Sequence, residues 1–444
     1  MDSIAQVEHA LNTILQDRAT VLARETGCIK RQRKCRGASL AQTLIFSWQE
    51  HPEASLEQMA SMAETADVSL SETAVDKRFT APCAEFLRRV FEEMSAVVVE
   101  AAEPVEVDLL RRFAAVILED RSVVSLPADL HEQWPGCGNQ NTQEAASLKL
   151  HVRWELQRGR LDGPVLSAGR VSDHRSPWYQ APIEADVLYV QDLGSFNLQR
   201  FQERRAASAW SLSRLHVGTT VLDRQGRSLN LLQCAPKQVG QDKELPVLLG
   251  SHQRLPMRLL LLRVPKAVAD ERRERLLAEA KRRGHTVSAL TLALADWTLL
   301  ITDVPCARLR ISEALVLLRE RWQMELLSKL WKHDGQLDQW RTANRWRIQC
   351  EVYAKLIGLL LQHWLIVLSA WHDPQRSLVK LAQVVRDTAW CIMEALAGFR
   401  SLRSVLHLIA RRMRSGCQMN TRKKHPNSAQ LLEQQTVEWG LSRA

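Results

Sequence analysis

What this chain of 444 residues lacks narrows its class before any motif is weighed. It has nine cysteines, and no two of them form a Cys-x-x-Cys pair. Scattered thiols, odd in number, argue against a zinc ribbon and a secreted disulfide scaffold; they fit the reduced thiols of a cytoplasmic protein. Residues 1–17 hold acids and amides but no basic start followed by an apolar block, so no signal peptide is expected there. The most apolar run, 356–371, is short for a membrane span and carries Gln362 and His363, so it reads as a buried helix of a helical domain. There is no internal repeat and no long low-complexity segment. These absences predict a cytoplasmic protein with no membrane partner.

What is present is ordinary globular material, 45% hydrophobic and 25% charged, enough for sizeable cores. The length suggests two to four domains. The formal net charge is +10 and the pI about 9.3. A basic surplus favours a polyanionic partner, most often nucleic acid, although it also serves solubility.

The pattern along the chain predicts an α/β core flanked by helical N- and C-terminal domains. Residues 1–105 have apolar spacings of three and four, which predict helices. Ser55 with Gln58 and Ser69 with Glu72 form two capping boxes either side of a short turn at Ala66, Asp67 and Val68. Helix, tight turn, helix is the outline of a helix-turn-helix module, whose second helix would carry Ser71, Thr73, Lys77 and Arg78 towards a DNA groove or phosphates. Many helical pairs share this spacing without touching DNA. Lys30, Arg31, Arg33, Lys34 and Arg36 form a basic group that either meets phosphate or is simply solvated.

From Arg112 the pattern becomes strand-rich. A short apolar run, 114–118, ends in Glu119-Asp120; residues 146–156 alternate, with Leu148, Leu150, Val152 and Trp154 on one face. Strands are predicted at 165–171 and 187–190, the latter ending at Gln191-Asp192, with an amphipathic helix at 197–207. Residues 106–211 and 296–340 would form this core. Residues 212–295 look inserted and mainly β, with a hairpin-like turn at Asp223-Arg224-Gln225-Gly226, a strand at 258–264 and a basic helix at 271–283. A strand at 297–302 leads to a long helix at 312–331, and residues 341–444 read as helical, suited to dimerisation, with a basic end.

Two aspartates, Asp120 and Asp192, directly follow apolar runs, where active groups of α/β proteins gather because the loops vary while the sheet stays rigid. Surface aspartates after strands are also common. A third carboxylate, Glu325, lies four residues after Arg321 and seven before Lys332, so a helix would present all three as a plus-minus-plus stripe. Cations on both sides keep a carboxylate ionised, which suits a metal ligand as well as an ordinary salt-bridged surface.

Here the sequence resembles a family. The segment from Leu318 through Arg321, Glu325 and Lys332 is similar to the YREK signature of DDE transposases of the IS-four-type insertion-sequence family, with Leu318 in place of the tyrosine. Glu119-Asp120-Arg121-Ser122 with Ser125-Leu126-Pro127 resembles the family's first-aspartate block. Gly169-Arg170-Val171-Ser172-Asp173-His174 resembles the segment before the second-aspartate strand. Asp192-Leu193-Gly194-Ser195-Phe196 resembles the second-aspartate block, with Ser195 departing from its tyrosine. Arg214 matches a basic residue that ends the next core strand in many members. The resemblance spans roughly 70–340, and the long gap from Asp192 to Glu325 matches the place of the family's mainly β insertion domain.

The resemblance implies an RNase H-like catalytic core in which Asp120, Asp192 and Glu325 bind two Mg2+ or Mn2+ ions, with Asp120 bridging both. Hard carboxylate oxygens suit such cations, and two of them can activate the attacking oxygen and stabilise the leaving oxygen of an in-line displacement. Arg321, Lys332 and Arg214 would hold phosphates. Trp322 and Trp297 would stack on an extruded base, with core packing the alternative for each. The implied partners are double-stranded DNA, as element terminal repeats and target, and a second copy of the chain in the DNA complex. The implied place is the bacterial cytoplasm, on the nucleoid when bound to DNA. The competing readings are a decayed or domesticated DNA-binding copy of the same family, and a nuclease on the same core without strand transfer.

Overall fold

The computed structural model describes residues 3–31, 35–137, 145–172, 175–320, 327, 330–420 and 430. Its strands are β1 (Ala115–Leu126), β2 (Ala146–Glu155), β3 (Leu161–Ala168), β4 (Val187–Gln191), β5 (Trp210–Arg214), β6 (Val221–Leu222), β7 (Asp242–Leu249), β8 (Leu255–Arg263) and β9 (Trp297–Thr302). With many helices around them, this is the mixed α/β class expected. The chain divides into two compact units, one of residues 1–106, 121–171 and 325–419, the other of 107–120, 172–324 and 420–444. The boundary passes through β1.

The first unit is helical apart from β2, β3 and the second half of β1. Its centre is the Arg345–Ala370 helix, which packs against Gly37–Glu50, Ala81–Ser95 and Leu402–Gly416. This is the buried helix predicted from the apolar run, extended at its N-terminus to Asn344, whose side chain accepts from the Trp346 and Arg347 amides. Its length and apolar character would suffice to cross a membrane, but 94% of its most apolar window is buried inside the protein. The tight turn Gln157–Arg160 docks on its end. Gly159, at φ +75°, has no side chain because the Trp371 ring lies where one would stand. His363 donates through Nε2 to the Gly159 carbonyl at 2.7 Å, edge-on to Trp154 and Trp371.

Two sequence expectations change in this unit. The Ser55–Gln58 capping box forms as predicted, but the next helix starts later: Ser71, not Ser69, accepts from the Ala74 amide, and the helix spans only Glu72–Asp76. Lys77 and Arg78 therefore follow the helix instead of riding on it. β2 shows the predicted alternation, yet every residue in it is buried, polar face included. The polar side chains compensate by finding partners, as burial requires. Lys149 donates to the Val171 carbonyl at 2.5 Å, His151 meets Ser167 Oγ at 2.7 Å, and Glu155 accepts from the Gln157 and Arg158 amides.

In the second unit the strand order is β1-β4-β5-β9-β8-β7-β6. β4 is parallel to β1 and to β5, whereas β9 runs antiparallel to β5 and β8. The strand expected at 114–118 does not stop at Asp120. It runs to Leu126, because Ser122, Val124 and Leu126 are buried in alternation with exposed Val123 and Ser125 and keep the chain extended. The segment 212–295 is mixed, not mainly β: it holds β6, β7 and β8 but also the 18-residue Lys266–Arg283 helix. Its strands do not form a sheet of their own. β8 pairs with β9 from Arg258↔Thr302 to Arg263↔Trp297, so the inserted strands lengthen the existing sheet. The predicted turn at 223–226 is present, with Gly226 at φ +81° and Asp223 Oδ1 accepting from the Gln225 and Arg227 amides. One sheet face carries the apolar cluster Leu259, Leu261, Leu299, Ile301 and Met257, under Phe201 and Leu231.

Candidate active site

Parallel strands pair in register here, and that decides where the two aspartates lie. The β1–β4 ladder ends with Glu119 opposite Gln191. Carried on by one residue, that register would set Asp120 beside Asp192, on strands spaced about 4.8 Å apart. The β4–β5 ladder ends with Gln191 opposite Ser213, so Arg214 comes next in the same row. Asp120, Asp192 and Arg214, far apart in sequence, fall at one level across β1, β4 and β5, where the β1–β4 and β4–β5 ladders end, and each is half-buried. Asp192 sits where β4 gives way to a single 3-10 turn, Leu193–Ser195, and its carbonyl accepts from the Ser195 amide at 3.0 Å.

The opposite face of the same strand ends is locked by residues that motif reasoning missed. Arg204, 1% exposed, projects from the Leu198–Ala206 helix. It donates to Glu119 Oε2 at 2.8 Å and to Gln191 Oε1, and its guanidinium lies 4.1 Å from the centre of the Tyr189 ring. Gln191 Nε2 in turn donates to the Ser195 carbonyl at 2.9 Å, tying down the turn after Asp192. One buried arginine thus grips the residue before each aspartate. Burial lowers the Arg204 pKa, and the Glu119 charge opposes that. A signal was present in the sequence: both aspartates follow a polar residue, Glu119 and Gln191, at a position where the strand points into the core.

The other end of these strands is anchored too. Arg308 pairs with Asp186 at 2.5 Å and donates to the Arg112 carbonyl, and Trp210 Nε1 donates to Asp186 at 3.0 Å. The Arg308 guanidinium holds the Asp186 carboxyl below its ordinary range.

The remaining predicted site residues are dispersed. Trp297 opens β9; its indole donates to the Pro236 carbonyl at 2.8 Å, its ring lies 4.4 Å below the Arg263 guanidinium, and it packs against the apolar cluster. Lys332 is half-buried in the π-helical turn Leu330–Asp334. Lys77 is exposed, and Arg78 is half-buried near Cys28, Cys35 and Cys83. Lys30, Arg31 and Arg36 are exposed. Arg321, Trp322 and Glu325, with Arg33, Lys34, Asp173 and His174, lie outside the described residues. All nine cysteines are free thiols.

Among the described residues no three His, Cys, Asp or Glu side chains gather as a metal site. Asp120 and Asp192 supply two hard oxygen donors side by side, the right chemistry for Mg2+ or Mn2+. This part of the donor set therefore fits the implied metal.

No protein-family model matches the chain. It is 24% identical over 380 residues to the transposase for insertion sequence element IS231D of Bacillus thuringiensis subsp. finitimus, covering 80% of this chain and 78% of the relative. It is 26% identical over 361 residues to that of IS231F from Bacillus thuringiensis subsp. israelensis, covering 77% and 75%. It is 22% identical over 319 residues to that of IS1151 from Clostridium perfringens, covering 68% and 67%. Over most of its length, then, the chain is similar to the transposases of bacterial insertion sequences.

Proposed function

We propose that this chain is a DNA transposase of the DDE type, which binds the terminal repeats of an insertion sequence, cleaves DNA at the element ends and transfers the strands to target DNA. The observation that carries the reading is the parallel register of β1 and β4, which ends at Glu119 opposite Gln191, the residues directly before Asp120 and Asp192. Similarity to insertion-sequence transposases over most of the chain supports it. So does the order β1-β4-β5 with β4 parallel to both neighbours, which an RNase H-like core would require. Double-stranded DNA as partner fits the net charge of +10.

In this reading Asp120, Asp192 and Glu325 hold divalent cations that supply Lewis-acid activation of the attacking and leaving oxygens. The protein's own part is to hold the two aspartates at one strand spacing, through Arg204 beneath them, and to place cations for phosphates. Arg214 stands next in the row. Arg321 and Lys332 would serve the same end, and Trp297 and Trp322 would stack on an extruded base. Lys77 and Arg78 follow the short second helix of the proposed DNA-binding region. The helical C-terminal segment would hold two copies together on paired element ends, in the bacterial cytoplasm.

The test is cleavage of DNA carrying the element's own terminal repeats, with Mg2+ or Mn2+, by the wild type, Asp192→Asn and Glu325→Ala. Metal-dependent nicking at the repeat boundary, lost in both variants, is the expected result. Tight end binding with no cleavage by any of the three would replace this reading with that of a decayed DNA-binding copy, for which Leu318 and Ser195 are the departures to examine first.

A further inference from the structure

The Lys266–Arg283 helix contains the basic run at 271–283, and a charge run of that kind is usually a solvated face. Its inward stripe tells otherwise. Ala269 and Ala280 are buried, and Arg272 and Arg273 fall between them on the same face. The two arginines are treated differently. Arg273 has carboxylates, pairing with Asp270 at 2.8 Å and also with Asp296. Among the described residues Arg272 has only neutral acceptors, the Trp297 carbonyl at 3.2 Å and Thr298 Oγ1 at 3.0 Å.

Thr298 and Leu300 share a face of β9, two residues apart, and Leu300 is the partner of Arg214. Arg272 and Arg214 therefore come to the same face of the sheet, and Arg214 is the neighbour of Asp192. Burial first, then the charges of Arg214 and Arg275, push the Arg272 pKa down to about 10. A half-buried guanidinium with cationic neighbours and no carboxylate partner is costly, and an arriving anion relieves the cost.

We propose that Arg272 and Arg214 together form a binding site for a DNA phosphodiester beside the aspartate row, with Arg272, from the inserted segment, as an added phosphate ligand. The fork of an arginine suits two phosphate oxygens, and neutral hydrogen bonds to the β9 backbone and Thr298 fix its direction without neutralising it. The inference rests on the transposase reading.

The experiment measures binding of the full chain to duplex DNA carrying the terminal repeats, over a series of salt concentrations, for wild type, Arg272→Gln and Arg272→Met. Loss of one phosphate contact lowers the slope of log K against log salt by about 0.9. Affinity at low salt should fall roughly tenfold, while thermal stability of the free protein holds or rises, most of all in Arg272→Met. A wild-type salt slope unchanged in both variants, with lowered thermal stability, would make Arg272 a structural tie to β9 and overturn the site alone. A wild-type chain that binds no DNA at any salt concentration would overturn the transposase reading and the site with it.

Discussion

Arg204 and Glu119 form a buried ion pair at 2.8 Å, with side chains 1% and 7% exposed. Because Gln191 shares the same guanidinium, the pair fixes the middle of β1 and the end of β4 against one helix, through the residues directly before Asp120 and Asp192. Removing one partner strands a buried charge, which costs about 3–5 kcal/mol. Arg204→Met should therefore lower stability by that order in urea unfolding. The double variant Arg204→Met with Glu119→Leu should regain part of the loss, since no charge is stranded although Gln191 Oε1 loses its donor. Recovery of stability without recovery of the DNA cleavage proposed above would show that the pair positions the aspartates as well as holding the fold.

The tight contact at Gly159 predicts a second effect. A Cβ there would lie 2.5 Å from the Trp371 ring, on a residue with φ +75°. Gly159→Ala should destabilise by about 2–4 kcal/mol, combining left-handed strain with overpacking. A midpoint of urea unfolding unchanged from wild type would mean that the turn relaxes freely away from Trp371.

His363 gives a pH dependence of known sign. Burial is the main cause that lowers its pKa to about 4, against 6.5 ordinarily. The unfolded chain thus takes up a proton that the folded chain refuses. Its contribution is fully present above about pH 6.5 and is lost as pH falls towards 4, by about 3 kcal/mol in all. Stability measured at pH 7 and pH 4.5 should fall more steeply for wild type than for His363→Gln, and equal slopes would refute the assignment.

Asp303 works in the opposite direction. Its Oδ1 accepts the Ser211 amide at 2.7 Å, while Oδ2 is buried with no hydrogen-bond partner among the described residues. Burial raises its pKa to about 6. The folded state holds the proton that the unfolded state releases near pH 4, so stability is highest below that and is lost as pH rises through 6. Asp303→Asn keeps the acceptor for Ser211 and removes the charge. It should stabilise the protein at pH 8 by on the order of 2 kcal/mol, with little effect at pH 4. A loss of stability at pH 8 would show instead that the charge of Asp303 is needed, through Arg204 and Arg205 nearby.

The sequence by itself determined the elements whose signals are local. The Ser55–Gln58 cap, the strand 297–302, the turn at Gly226 and the buried run of the Arg345–Ala370 helix were all legible, because capping, alternation and turn chemistry act within a few residues. The same locality made Asp120 and Asp192 visible as candidates at strand ends. Only the tertiary structure decided that they are neighbours, that Arg214 joins their row, and that Arg204 grips the residue before each. Register between strands distant in sequence is set by long-range pairing and packing, which no short window records. For the same reason β1 runs past Asp120, β2 buries its polar face as well as its apolar one, and the inserted strands join the existing sheet. A polar residue in an alternating pattern reads as solvent-facing until the structure supplies its buried partner, as it does for Lys149 with Val171 and for Glu119 with Arg204.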